Sequence, residues 1–413
     1  MLNYFINFKK FTFYEWILFL FPLSLILGSA YVNIFLILIS FFFIYEIINK
    51  KLLFKINIPW VNFYIIFIFY NFFRGFFAND FIMAMQSSLS QFRFLFFALF
   101  ISLFIKKKEN IKFMIVGWLI LLLFISFNSL YSFFFLKDIF GYPITIGYPE
   151  NTIRFSLPFD KRLVVGTFIL YVSVPIISHF FSKFDKLIFL NKILAVLIFY
   201  LLSLVVFLSG ERLASFAFLG ASFLILIFFL DFKKKFFFVF LIIIMFLATY
   251  LKTDQLRLRI NDSINILTNF YDSSYGRLYE SSYLLFKKNY FFGVGFKNYR
   301  VVCDQQIDPR PESIFQFCST HPHNFYLELL VESGLVGFLI FSISFFYLFS
   351  YILKEIKNNK VDFKKYFPII FGNSLIIAIY IWPIKTSGSF FTTWNGSFFW
   401  LSLGILLLML RKD

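Results

Sequence analysis

Two histidines placed close together are the first candidates for chemistry in this chain. Of only three His among 413 residues, His321 and His323 stand two positions apart, just before an apolar segment. A histidine there can act as a general base or position a hydroxyl by a hydrogen bond. It can also serve structure, by orienting a helix that begins near Asn324. A metal site with Glu328 or Glu332 is disfavoured because no third ligand has suitable spacing, so we expect no metal.

Arginines form the second group of candidates. Arg212 follows Glu211 in a short turn between two apolar segments, where a charge is a functional hypothesis by default. Arg277 follows a glycine at the start of a predicted helix, and a guanidinium fork suits phosphate or carboxylate ligands. The structural alternatives are a local ion pair between Arg212 and Glu211, and a solvated loop charge at Arg277. Further candidates for binding an anion are Arg74, Arg93 and Arg154.

The elements that position these residues must be membrane helices. The chain is 60% hydrophobic and only 15% charged, with 72 Phe, which excludes a soluble enzyme, a nucleic-acid binder and a disordered protein. We predict an all-α polytopic membrane protein of about twelve transmembrane helices. A cleaved signal peptide is the alternative for the first of them. The apolar runs are 15–30, 31–48, 58–73, 86–105, 111–135, 163–181, 190–208, 213–230, 236–251, 333–353, 367–383 and 394–410, with a turn predicted at 28–30.

Lysine clusters fix the predicted orientation. They fall at every second helix boundary, from Lys9–Lys10 to Arg411–Lys412, so the positive-inside rule places both termini in the cytoplasm. The net charge of +17 therefore reflects topology and not a nucleic-acid partner. Of the 11 Arg, only Arg411 falls on the inner side, which favours an outer-face site for an anionic ligand.

We divide the chain into nine transmembrane helices at 1–251, a large outer loop at 252–332 and three helices at 333–413. The loop is predicted to contain helices at 254–269 and 277–288, whereas the smaller outer loop at 136–162, rich in Gly and Pro, is predicted to be irregular. Both cysteines, Cys303 and Cys318, fall in the large loop. An outer, oxidising compartment favours a disulfide over two free thiols.

The segment His321–Gly337, with the sequence HPHNFYLELLVESGLVG, closely resembles the signature of the O-antigen ligase/polymerase superfamily. The turn Ser209–Arg212 is similar to the Ser-Gly-x-Arg turn of that superfamily, and Arg277 with Gly293–Gly295 resembles its loop arginine and downstream Gly-x-Gly. Further similar stretches are 155–166, 387–391 and Trp394.

The resemblance implies a metal-independent glycosyltransferase of the C type, without a cofactor, in the bacterial inner membrane. Its donor would be a glycan linked to undecaprenyl diphosphate, its acceptor lipid A-core or another glycan, and its active site periplasmic. Arg212 and Arg277 would bind the diphosphate and stabilise the leaving group, and His323 would take the proton of the attacking hydroxyl. The residues assigned to substrate binding are His321, Asn324, Arg154, Arg74 and Arg93.

Several functions share this pattern. We favour an O-antigen ligase, while a polymerase that joins repeat units and an enzyme that glycosylates protein hydroxyls carry the same signature. A flippase or transporter of lipid-linked glycan is the alternative from a different class. Against it, the longest loop is predicted outside, after the ninth helix, and no matching pair of Gly/Pro-broken helices occurs in two halves.

Overall fold

The structure is a computed structural model that describes residues 11–52, 56–147, 152–158, 162–307, 317–386 and 388–412. The lysine cluster Lys9–Lys10 and the motif residue Ser387 lie outside these ranges. The helices are α1 (Phe13–Leu27), α2 (Ser29–Asn49), α3 (Pro59–Gly75), α4 (Phe81–Leu89), α5 (Phe92–Phe104), α6 (Lys108–Phe135), α7 (Val165–Phe181), α8 (Phe189–Leu208), α9 (Arg212–Phe229), α10 (Phe232–Lys252), α11 (Asp254–Thr268), α12 (Ser274–Lys288), α13 (Tyr299–Gln306), α14 (Phe325–Asn358), α15 (Lys360–Tyr380) and α16 (Thr393–Leu410). The two strands are β1 (Thr145–Gly147) and β2 (Thr152–Arg154), and short 3-10 helices lie at Phe184–Lys186 and Phe270–Asp272.

Most of these helices are apolar enough to lie in a membrane. Among the described residues, eight segments are both long and apolar enough to cross one: α2, α4 with α5, α6, α8, α9, α10, α14 and α16. The apolar helices α1 and α7 are shorter. Each of the twelve apolar ranges predicted from the sequence overlaps a helix. The all-helical, polytopic class is therefore confirmed, whereas the number of twelve membrane crossings stays a prediction.

Local signals explain several helix ends. Thr12 caps α1 through a capping box with Glu15, and the chain turns at Gly28, whose φ of 113° is readily adopted only by glycine. Within the large loop, α11 and α12 occupy the two ranges predicted as helical. The smaller loop differs from the prediction, because β1 and β2 pair as an antiparallel ribbon with Thr145 opposite Arg154.

The first of two compact units contains Met1–Phe35, Leu103–Ile264 and Asp362–Ile379. Its helix α7 packs against α6, α8 and α9, and almost every side chain of α7 is buried. Aromatic side chains fill the interior: the Phe181 ring lies 5.3 Å from the rings of Phe199 and Phe238. A helix of 17 residues that is buried all round depends on protein neighbours and not on lipid contacts.

The second unit contains Leu36–Ser102, Asn265–Val361 and Tyr380–Asp413. Its long helix α14 packs along α3, with the rings of Phe67 and Phe341 edge to face at 5.1 Å. Trp400 of α16 adds a ring 4.9 Å from that of Tyr64. These buried aromatic pairs fix the framework that carries the loop segments described below.

A break in α14 attaches the large loop to this framework. Gly334 interrupts the helix with φ 65° and ψ −175°. The hydrogen bonds that the helix loses there are replaced by main-chain bonds to residues 290–295, here named the docking turn. They are Leu335 N to Tyr290 O (2.9 Å), Val336 N to Phe291 O (3.1 Å), Val294 N to Val331 O (2.9 Å) and Gly295 N to Glu332 O (2.9 Å). The helix begins at Phe325, eight residues before the predicted boundary, because its first part belongs to the loop side of this break.

Candidate active site

A disulfide anchors the histidine segment, defined as residues 317–324. Cys303 of α13 and Cys318 are joined; their Cα atoms lie 5.8 Å apart, and the two residues are separated by 15 positions in the sequence. Both lie in a buried apolar cluster with Tyr299 and with Val331 of α14. The start of the histidine segment is therefore fixed to the second unit five residues before His323.

His323 is held in an uncommon backbone conformation. Its φ is 56°, in the left-handed region that few non-glycine residues adopt. Its ring centroid lies 4.1 Å from that of His321 and 6.1 Å, edge-on, from that of Tyr275. Burial lowers the pKa of His323, and the negative charge of Glu328 opposes that shift. This shift favours the neutral form of the imidazole, which can accept a proton.

Asn324, and not His323, caps the following helix. The Asn324 Oδ1 accepts hydrogen bonds from the main-chain N of Tyr326 and Leu327 at 3.0 and 3.2 Å. Its Nδ2 donates to the carbonyl of Pro383 at 2.8 Å. The side chain predicted to bind substrate therefore forms three structural hydrogen bonds, and the helix-orienting role considered for His323 belongs to its neighbour.

Arg277 lies on α12, the helix that also carries Tyr275. Its side chain is only 7% exposed, with Nη2 2.5 Å from Asp272 Oδ1 and Nη1 3.5 Å from Glu280 Oε2. The alternative of a solvated loop charge is therefore wrong. The Asp272 carboxylate is 76% exposed, so this guanidinium faces an exchangeable partner on one side. Since Tyr275 touches His323, the second unit brings the start of α12 and the histidine segment together.

A buried ion pair lies at the start of α14. Lys297 Nζ donates to Glu328 Oε1 at 2.6 Å, with side-chain exposures of 7% and 2%. Both groups hydrogen-bond to the hydroxyl of Ser389, and Phe390 N donates to Glu328 Oε2 at 3.2 Å. Lys297 N also donates to Glu332 Oε2 at 2.8 Å.

Our sequence reasoning missed this ion pair. Two carboxylates one helical turn apart in an apolar stretch were the available signal, because charges in such positions require partners.

Two predicted binding arginines have structural partners. Arg74 donates to the carbonyls of the docking turn, from Nη2 to Gly293 O at 2.7 Å and from Nε to Phe292 O at 3.3 Å. Arg93 donates to Thr393 Oγ1 at 3.1 Å, with its guanidinium 5.0 Å from the centre of the Phe94 ring. These contacts tie Arg74 to the docking turn and Arg93 to α16. A substrate role for either arginine stays a prediction.

Arg212 is part of the first unit and has a different partner from the one considered in the sequence. Its Nη1 lies 2.7 Å from Asp262 Oδ2 of α11, with both side chains 21% exposed. Glu211 instead accepts from Gly166 N at 2.6 Å and from Thr167 N at 3.1 Å, at the start of α7. The proposed local pair with Glu211 is therefore wrong. Arg154, of β2, donates to Leu163 O at 3.3 Å.

Burial raises the pKa of Glu211 to about 7, against the opposing effect of the Thr167 and Gly166 hydrogen bonds.

Within the residues that the structure describes, no cluster of three or more His, Cys, Asp or Glu is placed to hold a metal ion. Metal independence of the reaction stays a prediction.

Eight segments in the described part of the chain are long and apolar enough to span a membrane, and the large loop carries His323 against the helix of Arg277. The fold is therefore that of a multi-pass membrane protein with polar residues attached to its helices. Residues 197–342 match the family model described as O-antigen ligase. The match covers the second half of α8, the helices α9 to α13, the docking turn, the histidine segment and the first half of α14. The resemblance to the O-antigen ligase/polymerase superfamily is therefore confirmed. No curated protein matches the chain.

Proposed function

We propose that this protein is an O-antigen ligase, which transfers glycan from undecaprenyl diphosphate to lipid A-core at the periplasmic face of the bacterial inner membrane. The family match supports a function of the ligase or polymerase type. The observation that carries the proposal is the half-buried imidazole of His323, whose ring packs edge-on against Tyr275 of the helix that also carries Arg277. A base and a cationic fork in one site would suit a hydroxyl nucleophile and an anionic leaving group.

The proposed reaction is a single displacement. The acceptor hydroxyl oxygen attacks the anomeric carbon of the donor sugar, and its proton passes to His323. The bond between that carbon and the diphosphate oxygen breaks, and the electron pair leaves with undecaprenyl diphosphate. Arg277 stabilises the negative charge on the leaving group, exchanging Asp272 for phosphate oxygens. We assign the same role to Arg212, whose partner Asp262 would be exchanged likewise.

The disulfide supports the periplasmic location. Disulfides persist in oxidising compartments, and the bond between Cys303 and Cys318 lies in the same loop as His323. A periplasmic loop after nine predicted helices agrees with cytoplasmic termini. The donor and acceptor would then meet outside the cytoplasm, where the glycosyl-diphosphate bond itself supplies the driving force.

Site-directed variants reconstituted in liposomes with lipid-linked glycan and lipid A-core test the proposal. We expect His323→Ala to lower transfer by about 10²–10⁴-fold, as for loss of a general base, and Arg277→Ala by about 10²–10³-fold, as for loss of an electrostatic donor. Arg257→Ala is the matched control, because Arg257 is an exposed arginine of α11 paired with Asp254. Transfer at the level of the unmodified protein in His323→Ala would overturn the proposed base.

Deletion of the gene distinguishes the related activities. Long glycan chains accumulating on the lipid, with bare lipid A-core, are the expected result for a ligase. Single repeat units on the lipid with short-chain lipopolysaccharide would instead identify a polymerase. Lipid-linked glycan trapped in the cytoplasmic leaflet would favour a flippase and contradict transfer.

A further inference from the structure

An apolar cavity of about 90 Å³ lies between α6, α7 and α8, all within the first unit. One end is lined by Ile176 and Leu202, which are fully buried, and the other end by Leu187, Asn191 and Leu194, which are half-buried. Asn191 is the one polar side chain among the described residues that line it. The cavity therefore leads from the interior of the first unit toward the connection between α7 and α8, and its walls suit a hydrocarbon chain.

The half-buried end of the cavity lies beside a segment that combines exposed apolar and basic side chains. Ile188, Phe189 and Leu190 are each more than 60% exposed, and Lys186 and Lys192 flank them. An exposed apolar run of this kind marks a surface that contacts lipid. Because the lysine distribution predicts that this end faces the cytoplasm, we expect the cavity to open at the inner surface of the bilayer.

Contacts of two lysines place their ammonium groups next to the last turn of α7. The Nζ of Lys192 lies 6.0 Å from the centre of the Phe184 ring. That ring stacks at 5.7 Å on the ring of Phe181, which lines the cavity. The Nζ of Lys183 lies 3.3 Å from Nε2 of His179, in the same turn. Positive charge is therefore held at the cavity end of α7.

These lysines have no acidic partners in the described ranges. Asp185, the acidic residue of the connection, pairs with Lys234 of α10 instead. Among the described residues, no carboxylate forms an ion pair with Lys183, Lys186 or Lys192. Their charges are thus available to an anion that comes from outside the chain.

The lysine charges also act on one another. Partial burial lowers the pKa of Lys183, and the charges of Lys112 and Lys186 lower it further, against the opposing charge of Glu109. A phosphate group would relieve this repulsion, because opposite charges attract where like charges repel. Positive charge beside an apolar cavity is complementary to a ligand with an anionic head and a hydrocarbon chain.

We propose that the cavity holds one acyl chain of a negatively charged phospholipid, whose phosphate is bound by Lys183, Lys186 and Lys192. The ligand is a membrane lipid and not a soluble anion, because the exposed apolar run at 188–190 places the lysines at a bilayer surface. Basic pockets between membrane helices on the cytoplasmic side bind anionic headgroups in this way. The inference does not depend on the proposed function, since no residue of this site takes part in glycan transfer.

Native mass spectrometry of the full chain in a neutral detergent, titrated with dioleoyl phosphatidylglycerol, tests the proposal. We expect Lys183→Gln/Lys186→Gln/Lys192→Gln to weaken the tightest binding of this lipid by about 100-fold, since each lysine contributes about fivefold. Dioleoyl phosphatidylcholine has the same chains and no net charge, so it should bind more weakly to the unmodified protein. Equal binding of the two lipids would overturn the proposal.

Lys354→Gln/Lys357→Gln/Lys360→Gln is the matched control. It removes three exposed lysines on the same predicted side of the membrane, in the second unit, and should leave the tightest binding unchanged. The same loss in both triple variants would show that net charge alone governs binding, which contradicts a built site. Inorganic phosphate that binds as tightly as phosphatidylglycerol would identify a site for a soluble anion and would also overturn the proposal.

Substitution of Ala195 tests the place of the acyl chain. Ala195 lines the cavity from α8, so Ala195→Phe should fill the cavity and weaken phosphatidylglycerol binding while the lysines stay intact. Ala195→Leu is the smaller change, which serves where the larger ring disturbs folding and should weaken binding in the same direction. Binding that is unchanged in the folded variants would show that the chain lies elsewhere, and the proposal would then be wrong.

Discussion

The buried Lys297–Glu328 pair allows a stability prediction with a defined magnitude. Lys297→Met leaves the Glu328 carboxylate, only 2% exposed, without its cation. Removing one partner of a buried ion pair costs about 3–5 kcal/mol. Two donors remain, the Ser389 hydroxyl and Phe390 N, and the Lys297 main-chain bond to Glu332 survives the substitution. We therefore expect the lower end of that range, about 3 kcal/mol.

A double-mutant cycle is the assay for this prediction. Unfolding in mixed micelles gives the free energy of unfolding of the unmodified protein, Lys297→Met, Glu328→Gln and the double variant. The double variant should recover most of the loss, because it contains no unpaired charge. Equal destabilisation of Lys297→Met and the double variant would refute the reasoning, since the loss would then come from packing of the lysine side chain and not from the charge.

Three further predictions concern the scaffold. Replacing Cys303 and Cys318 by Ser should destabilise the loop by about 3 kcal/mol, from the closed loop of 15 residues, and lower transfer, as measured by proteolysis of the loop and by activity. Gly293→Ala should cost about 1–3 kcal/mol or more in unfolding free energy, because φ is +69° and the new Cβ would lie 2.5 Å from main-chain atoms of α14. Burial raises the pKa of Glu211 from 4.5 to about 7, so the free energy of unfolding should fall as pH rises through that window. Glu211→Gln should remove this pH dependence. An unfolding midpoint of the unmodified protein that does not change with pH would contradict the prediction.

The general architecture was predictable because hydrocarbon imposes simple rules. Apolar runs of suitable length must form helices, and a helix overlaps each of the twelve predicted ranges. The turn at Gly28 followed from its residue type. The early start of α14 was not predicted, because Glu328 and Glu332 make the segment 325–332 less apolar than the run that follows it. Its connection to that run depends on the partner that Gly334 finds in the docking turn.

Side-chain partners in the site were harder to predict than residue types. His321, His323 and Arg277 were predicted as site residues from their rarity and motifs. The second unit places His323 against α12, with the ring of His321 next to that of His323. The partner of Arg212 was misjudged, since Asp262 lies 50 positions away in the chain. Lys297 was overlooked for the same reason, because its ion-pair partner, Glu328, lies 31 positions later in the chain.

The broken helix has a consequence for how this loop can diversify in evolution. The docking turn attaches to α14 through four main-chain hydrogen bonds and through Val294, which lies in the same buried apolar cluster as Val331. The attachment therefore constrains Gly293 and Val294 but places little demand on the exposed side chains. Drift in the exposed residues Phe291 and Phe292 leaves that attachment unchanged. Selection can thus alter the surface of the loop while the position of the histidine segment is inherited intact.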